Sequence, residues 1–144
     1  MKNKRYIFSL IAISLLTGPF ISAHQSLNAF TSSTIEFHFS KTVQTPADQR
    51  ERAVAFRSIQ FIDSVGRVIS EIRMGTEEAN ALQGEGWFDN EYQEGSGAYQ
   101  WAGGPAKLAS IDLDVPEGTE GLLLLISSIE EGLYMEVRNK AFSF

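Results

Sequence analysis

The chain has 144 residues, and its 18 aspartates and glutamates outnumber its 12 lysines and arginines, which gives a net charge of −6. An acidic chain repels the phosphate backbone of nucleic acids, which argues against nucleic acid as a partner. The chain has no cysteine, so disulfides and thiolate metal sites are excluded and the fold must be stabilised by burial.

Residues 1–23 have the pattern of a secretory signal peptide. A basic start precedes the apolar run Tyr6–Leu16, and the small residue Ala23 suits a cleavage site. The apolar run is shorter than the roughly 20 residues that span a membrane. Cleavage would leave residues 24–144, which we expect to form a single β-sandwich domain for the reasons given below. This part of the chain has 9 basic and 18 acidic residues, so its net charge is 9 − 18 = −9.

The leader therefore predicts a periplasmic or extracellular protein. The alternative is that the leader is kept as an N-terminal anchor, and only in that case do we expect the membrane to be a partner. The exported domain has enough residues for one hydrophobic core and too few for two.

The exported part of the chain is expected to be mostly β. Apolar and polar residues alternate in Thr34–Ser40, which is the period-two pattern of a half-buried strand. Val54–Asp63 and Arg67–Met74 flank the turn sequence Asp63–Gly66, which predicts a β-hairpin. Short strands separated by turn sequences favour an all-β fold, either a sandwich or a barrel, and of these we expect an antiparallel β-sandwich. Further strands are predicted at Ala106–Val115 with a bulge near Ala109–Ser110, at Leu122–Ile126, at Leu133–Arg138, and at Ala141–Phe144 after a turn at Asn139–Lys140.

At most one short helix is expected, near residues 46–53. Thr45 can cap it, Pro46 suits its first position, and Asp48 places an acid in its first turn. The alternation in the strands also predicts which side chains form the core. These are Phe37, Ile59, Phe61, Ile111, Leu113, Leu123, Leu125 and Val137.

The most distinctive stretch is Gly84–Gly104, GEGWFDNEYQEGSGAYQWAGG. It contains both tryptophans of the chain and six of its twelve glycines. It also contains four acidic residues and three further large aromatics. No other segment combines so many aromatic and polar side chains with so much backbone freedom, so we expect either a functional rim or a structural corner here.

A pattern within this stretch is similar to a known family signature. Gly86-Trp87 is followed by Glu91, then by Trp101 after a glycine-rich gap, and then by Ala106 at the start of a strand. This GW-x3-E … W … A pattern resembles that of small jelly-roll β-sandwich domains found beside bacterial and archaeal enzymes of surface-polysaccharide metabolism. The likeness covers about residues 75–140. It implies a jelly-roll-like topology and carbohydrate-rich surroundings.

The candidate ligand-binding residues are the aromatics of this stretch and one acid: Trp87, Tyr92, Tyr99, Trp101 and Glu91. Flat aromatic faces can stack on the apolar faces of sugar rings. The alternative is that both tryptophans are core or corner residues, since large aromatics bury much apolar area and bond one N–H to the backbone. A continuous exposed aromatic patch would favour the first interpretation.

The acids of the stretch allow two further interpretations. Two of Asp89, Glu91 and Glu94 could form a glycosidase-type acid/base pair, but so small a domain has little room for the deep pocket this chemistry needs, and we expect no enzymatic activity. Asp89, Asn90 and Glu91 could instead bind calcium as oxygen ligands, although no EF-hand spacing is present. No cofactor is expected.

Two function classes are consistent with these patterns. The first is an exported non-catalytic binding module for a carbohydrate or cell-surface glycan. The second is a structural or protein-interaction β-sandwich of the cell envelope, which docks to an envelope protein through a strand edge or an aromatic patch. A long unpaired edge strand would favour the second class.

Overall fold

The computed structural model describes residues 31–141, which contain nine strands and one helix. The predicted leader and its cleavage site lie outside the described residues. Within that range, no helix has the length and hydropathy needed to cross a membrane. The elements are β1 (Thr31–Phe39), β2 (Val43–Thr45), β3 (Asp48–Ile62), β4 (Val68–Arg73), α1 (Glu77–Leu82), β5 (Trp87–Gln93), β6 (Gly97–Gly103), β7 (Leu108–Val115), β8 (Gly121–Ile129) and β9 (Met135–Ala141).

The strands form two antiparallel sheets. The smaller sheet has the order β7-β1-β9, and the larger one is built around the long strand β3. Residues 54–56 of β3 pair with both β6 and β8, and residues 58–62 pair with both β4 and β8. Strands β6 and β4 therefore lie on one side of β3 and β8 on the other, with β5 outside β6. This arrangement confirms the all-β, antiparallel, sandwich-like fold, while the jelly-roll topology stays a prediction.

The core lies between the two sheets. Alternation along β1 directs Ile35, Phe37 and Phe39 to the interior, where they meet Phe56 of β3 and Ile111 of β7. Because each strand sends every second side chain to one face, each sheet contributes a layer of apolar residues. Five of the predicted core residues are buried as expected: Phe37, Ile59, Phe61, Ile111 and Leu113.

The prediction of which face of β8 is buried was wrong. Leu125 is 37 % exposed and Leu123 is only partly buried, whereas Leu124 and Ile126 are buried in the core. A run of five consecutive apolar residues has no alternation, so the sequence does not show which residues face inward. Pairing with β3 decides it, because Leu124 lies opposite the buried Ile59. Val137 is likewise only partly buried, on an edge strand.

Three local predictions are also corrected. Strand β7 pairs with β1 from Leu108 to Val115 without a shift in register, so the expected bulge near Ala109–Ser110 is absent. The alternation of buried residues begins at Ala109 rather than Leu108. The expected turn at Asn139–Lys140 lies inside β9, which continues to Ala141, and the rest of the predicted last strand lies outside the described residues.

The helix predicted near residues 46–53 is wrong. Pro46 and Ala47 form the tight turn between β2 and β3, and the Thr45 hydroxyl accepts a hydrogen bond from the Asp48 amide at 3.1 Å. The capping signals are therefore used in a hairpin turn, because the following residues pair with β2 and β6. The helix is α1, which Thr76 caps by accepting from the Ala79 amide at 3.2 Å.

The segment after α1 joins the two sheets along one side. Gln83 bridges Ile111 of β7, and the Gly84 amide donates to the Ser110 carbonyl at 2.9 Å. The Ser110 amide in turn donates to the Glu85 carbonyl at 3.0 Å. The chain thus passes along β7 of the small sheet before it enters β5 of the large sheet, and α1 contacts β4 and β7.

The face of β8 can be tested with two neighbouring substitutions. Ile126→Ala should lower the free energy of unfolding by about 2–5 kcal/mol, because it leaves a cavity in the core. Leu125→Ala, on the outer face, should cost less than about 1 kcal/mol. Urea unfolding of both variants measures the difference. Equal losses would show that the assigned face is wrong.

Candidate functional site

Gly86 and Trp87 form the corner at which the chain enters β5. Gly86 has a φ of 81°, and a Cβ there would lie 1.8 Å from the Leu108 carbonyl oxygen, so only glycine fits. This close approach lets Trp87 enter the core, where its ring meets Phe37 and Phe56 at centroid distances of 6.2 and 5.4 Å. The indole Nε1 donates to the Ser110 carbonyl at 2.6 Å. Trp87 is therefore a corner residue packed against the core.

Glu91 is held by two donors on the outer face of the large sheet. Arg50 donates to its Oε1 at 2.5 Å, and the Tyr99 hydroxyl donates to its Oε2 at 2.6 Å. Glu91 and Tyr99 are cross-strand partners in the β5–β6 hairpin, which explains why the two side chains meet. Asp48 completes the group by accepting from Arg50. We call Asp48, Arg50, Glu91 and Tyr99 the outer-face network.

The network changes the pKa of its members. Burial acts to raise the pKa of Glu91, but the hydrogen bonds from Tyr99 and Arg50 outweigh it, and the pKa lies below its ordinary value. The hydrogen bonds from Arg50 hold the pKa of Asp48 well below its usual range. The bond to Glu91 raises the pKa of Tyr99. Glu91 is thus ionised at neutral pH and fully engaged within the protein.

Trp101 lies on the same outer face but is covered. Its side chain is 7 % exposed, and the Arg52 guanidinium lies 4.5 Å from the ring centroid. Tyr99 packs edge-on against it at 6.5 Å. The indole Nε1 of Trp101 is buried and has no hydrogen-bond partner among the residues that the structure describes. The ring is held between protein groups and presents no open stacking face.

Tyr92 is the one predicted aromatic that is largely free, with 75 % of its surface exposed. It lies opposite Ala98 in the hairpin, while its neighbour Glu91 lies opposite Tyr99. Because successive residues of a strand face opposite sides, Tyr92 and Tyr99 are on different faces. The five predicted ligand-binding residues therefore divide among the core, the outer face and the cleft face of the hairpin, and they do not form one patch.

A small polar cleft lies on the face of the hairpin that turns toward α1. It has a volume of about 230 Å³, and we call it the amide cleft. It lies beyond the corner at Trp87, between the helix on one side and β5 on the other. The lining residues are Asn80, Gln83, Trp87, Phe88, Asp89, Asn90 and Gln100.

Two glutamines form a fixed part of the amide cleft. Gln83 Nε2 donates to Gln100 Oε1 at 2.6 Å, and Gln100 Nε2 donates to Gln83 Oε1 at 3.0 Å. Gln100 Nε2 also donates to the Phe88 carbonyl at 2.7 Å, and the Gln100 side chain is buried. These bonds use both N–H groups of Gln100 and hold its amide in one orientation. The pair is a rigid, polar wall.

Three other lining side chains have unused hydrogen-bonding groups. Asn80, Asp89 and Asn90 are exposed, and none of them has a side-chain partner among residues 31–141. Each asparagine offers two N–H donors and an acceptor, and the aspartate offers acceptors alone. The cleft thus combines a fixed wall with free donors and acceptors at its opening.

The acidic residues do not converge as the calcium and acid/base interpretations require. Asp89 and Asn90 line the amide cleft, but the Glu91 carboxylate belongs to the outer-face network. Glu94 is exposed beside the hairpin turn. Within the described part of the chain, no three acidic or histidine side chains are grouped as a metal site.

Sequence reasoning missed the residues that α1 supplies. Asn80 is on α1 and Gln83 caps its C-terminus, so both reach the cleft only because the helix lies against β4 and β7, across the cleft from β5. The signal was present in Thr76 followed by two acids, which is a helix start. Gln100 precedes Trp101 in the sequence without any pattern that marks it, and its contact with Gln83 spans 17 positions.

A second recess opens at the end of the core beside the β7–β8 connection. It has a volume of about 220 Å³ and a mainly apolar lining that includes Phe61 and Leu113. Ser33 and Asn139 border it, close to where β1 and β9 leave the described residues.

The role of Trp87 can be tested against an exposed aromatic on the same strand. Trp87→Ala should lower the free energy of unfolding by about 3–5 kcal/mol, because it leaves a large cavity and removes the indole hydrogen bond to the Ser110 carbonyl. Tyr92→Ala should change it by less than about 0.5 kcal/mol. Thermal or urea unfolding gives both values. A loss of stability as small as that of Tyr92→Ala would contradict the assignment of Trp87 as a corner residue packed against the core.

The outer-face network predicts acid sensitivity. A carboxylate with a lowered folded pKa stabilises the fold while ionised, and this stability is lost as the pH falls through the folded pKa. We therefore expect the free energy of unfolding to decrease as the pH drops below about 4.5, the ordinary pKa of Glu91. It should decrease further as the pH drops below 3.8, the ordinary pKa of Asp48. Arg50→Gln should lower stability at neutral pH and reduce the acid-dependent loss.

Urea unfolding at neutral pH and near pH 3 checks this expectation. The matched control is Arg138→Gln, which removes an exposed partner of Glu136 and should have a small effect. If Arg50→Gln loses as much stability on acidification as the unaltered protein, the outer-face network is not the cause of the acid-dependent loss.

Comparison of the chain with protein-family models, with curated proteins and with solved structures found no match. Its function is therefore argued from its own residues. The amide cleft combines free polar groups with a concave surface, and it lies largely within the stretch Gly84–Gly104.

Proposed function

We propose that the domain is an exported, non-catalytic binding module that recognises a carbohydrate or cell-surface glycan. The observation that carries this proposal is the amide cleft. Its side chains include two asparagines, two glutamines and one aspartate beside Trp87 and Phe88. Binding sites commonly place a few polar groups of fixed orientation beside aromatic side chains.

The chemistry of the amide cleft suits sugar hydroxyl groups. Each hydroxyl both donates and accepts hydrogen bonds, and a side-chain amide can do both at once. Asn80 and Asn90 have free amides, and the Gln83–Gln100 pair keeps the wall rigid, so little side-chain entropy is lost at the wall on binding. Ligand pockets for drug-sized molecules measure about 300–1,000 Å³. A cleft of about 230 Å³ suits a single sugar unit, such as the end of a glycan.

The carboxylates support binding rather than catalysis. Glycoside hydrolysis generally needs two carboxyl groups about 5–9 Å apart on either side of the bond. Asp89 is the sole carboxylate among the residues that line the cleft, and Glu91 is engaged by Arg50 and Tyr99. This arrangement supports a module without enzymatic activity. The resemblance to jelly-roll domains of surface-polysaccharide systems and the secretory leader are consistent with a glycan outside the cytoplasm.

The second candidate is a structural or protein-interaction β-sandwich of the cell envelope. The observation that favours it is the long edge strand β8, which has no charged residue. An uncharged edge strand is a template for pairing with another chain. The two functions use different parts of the fold and are compatible with each other.

The glycan proposal predicts a localised loss of binding. Asn80→Ala and Asn90→Ala should each weaken glycan binding about twofold to tenfold, as expected from the loss of one or two hydrogen bonds. Both residues are exposed, so the thermal unfolding temperature should hardly change. The matched control is Asn139→Ala, an exposed asparagine on the small sheet, which should bind as the unaltered protein does.

The measurement is a glycan-array screen of the domain, followed by titration calorimetry with the glycan that binds. Amide chemical shifts of residues 80–100 locate the ligand. The proposal fails if no glycan binds, or if binding is unaffected by both cleft substitutions while the shifts lie elsewhere.

A further inference from the structure

Strand β8 has a free edge in the part of the chain that the structure describes. It pairs with β3 along residues 54–62, and no other described strand pairs with it. Nine residues long, it is among the longer strands of the fold. Its free edge therefore presents a row of unpaired backbone N–H and C=O groups, which can accept a further strand.

Composition distinguishes β8 from the other edge strands of the described fold. Natural edge strands usually contain charges or are very short, which prevents unwanted pairing. Strand β2 has three residues, and β4, β5, β7 and β9 each contain at least one acidic or basic residue. Strand β8, with the sequence GLLLLISSI, contains no charge and no proline. It is the edge that lacks this protection.

The outer face of β8 is apolar at the edge. Leu123 and Leu125 lie opposite Gln60 and Ser58 of β3, and Leu125 is 37 % exposed. A strand added beside β8 would place its own alternate side chains against these leucines. An exposed, uncharged, leucine-rich edge promotes aggregation unless a partner covers it.

The charges around β8 indicate which partner fits. Glu117 and Glu120 precede the strand, and Glu130 and Glu131 follow it. In an antiparallel pair of two β8 strands centred on Leu125, Glu120 of one copy would face Glu130 of the other at both ends. Like charges directly opposite each other are destabilising, so the edge is poorly suited to a second copy of this chain. Basic residues at both ends of the added strand would complement the acids.

We infer that the β8 edge binds an extended segment of a partner protein, with an uncharged centre of about nine residues and basic residues at both ends. The backbone of β8 supplies the hydrogen bonds, Leu123 and Leu125 supply the apolar contacts, and the flanking glutamates select the basic ends. This inference is independent of the glycan proposal, because the edge and the amide cleft share no residue.

A synthetic peptide tests the inference on the full exported domain. The probe has alternating valine and threonine over the length of β8 and two lysines at each end. We expect saturable binding by titration calorimetry and slower amide hydrogen exchange confined to β8 and the adjoining part of β3. A peptide with the same side chains but with N-methylated backbone amides should not bind, because it cannot pair as a strand.

Substitutions test the charges and the edge separately. Glu120→Gln with Glu130→Gln should weaken binding about threefold to tenfold, as expected for two exposed ion pairs. The matched control is Glu77→Gln with Glu78→Gln on α1, which should leave binding unchanged. Leu125→Lys should abolish binding while the domain remains folded, since the side chain is already partly exposed.

Four results would overturn the inference. They are absence of binding to the unmodified peptide, equal binding of the N-methylated peptide, exchange protection outside β8 and β3, and dimerisation of the protein alone with protection at β8. Light scattering on the isolated domain measures the last of these. None of these outcomes would argue against the proposal that the amide cleft binds a glycan.

Discussion

The close contact between Gly86 and the backbone of β7 constrains how the two sheets are joined. At Gly86 the chain passes so near the Leu108 carbonyl that a side chain would collide with it. Trp87 can then enter between the sheets, where it packs on Phe37 and Phe56 and bonds to the Ser110 carbonyl. The contact links the small sheet to the large one and sets the direction in which β5 leaves the corner.

The direction of β5 determines the two surfaces of the β5–β6 hairpin. Alternation along the strands sends Glu91, Tyr99 and Trp101 to the outer face, where arginines of β3 cover or bond them. The opposite face carries Asn90 and Gln100, which meet residues of α1 and its C-cap across the amide cleft. One hairpin therefore has a closed, ion-paired face and a face with free polar groups. The proposed ligand site lies on the second.

The edges of the sheets also differ from one another, since one is closed and another is open. One side of the sandwich is closed, since the segment Gln83–Glu85 is bonded to β7. On the other side, β8 is covered by no described strand and lacks the charges that β4, β5, β7 and β9 contain. Leu125 exposes 37 % of its surface on the outer face of this uncharged strand, which is an unusual composition for an edge. A binding role would account for it.

The sequence by itself determined the all-β class, most of the strands and five of the eight core residues that were predicted from it. Strict alternation around Phe37 or Ile111 leaves one choice of buried face, so a local pattern was sufficient. The uniform run Leu122–Ile126 has no such pattern, and its pairing with β3 decided that Leu124 and Ile126 face inward. Thr45 accepts a hydrogen bond as a capping residue would, but it does so in a hairpin turn, because the residues that follow it pair as a strand with β2. The amide cleft could not be predicted from the sequence either. Asn80, Asn90 and Gln100 come together only when α1 packs against β4 and β7, and that packing depends on contacts between distant parts of the chain.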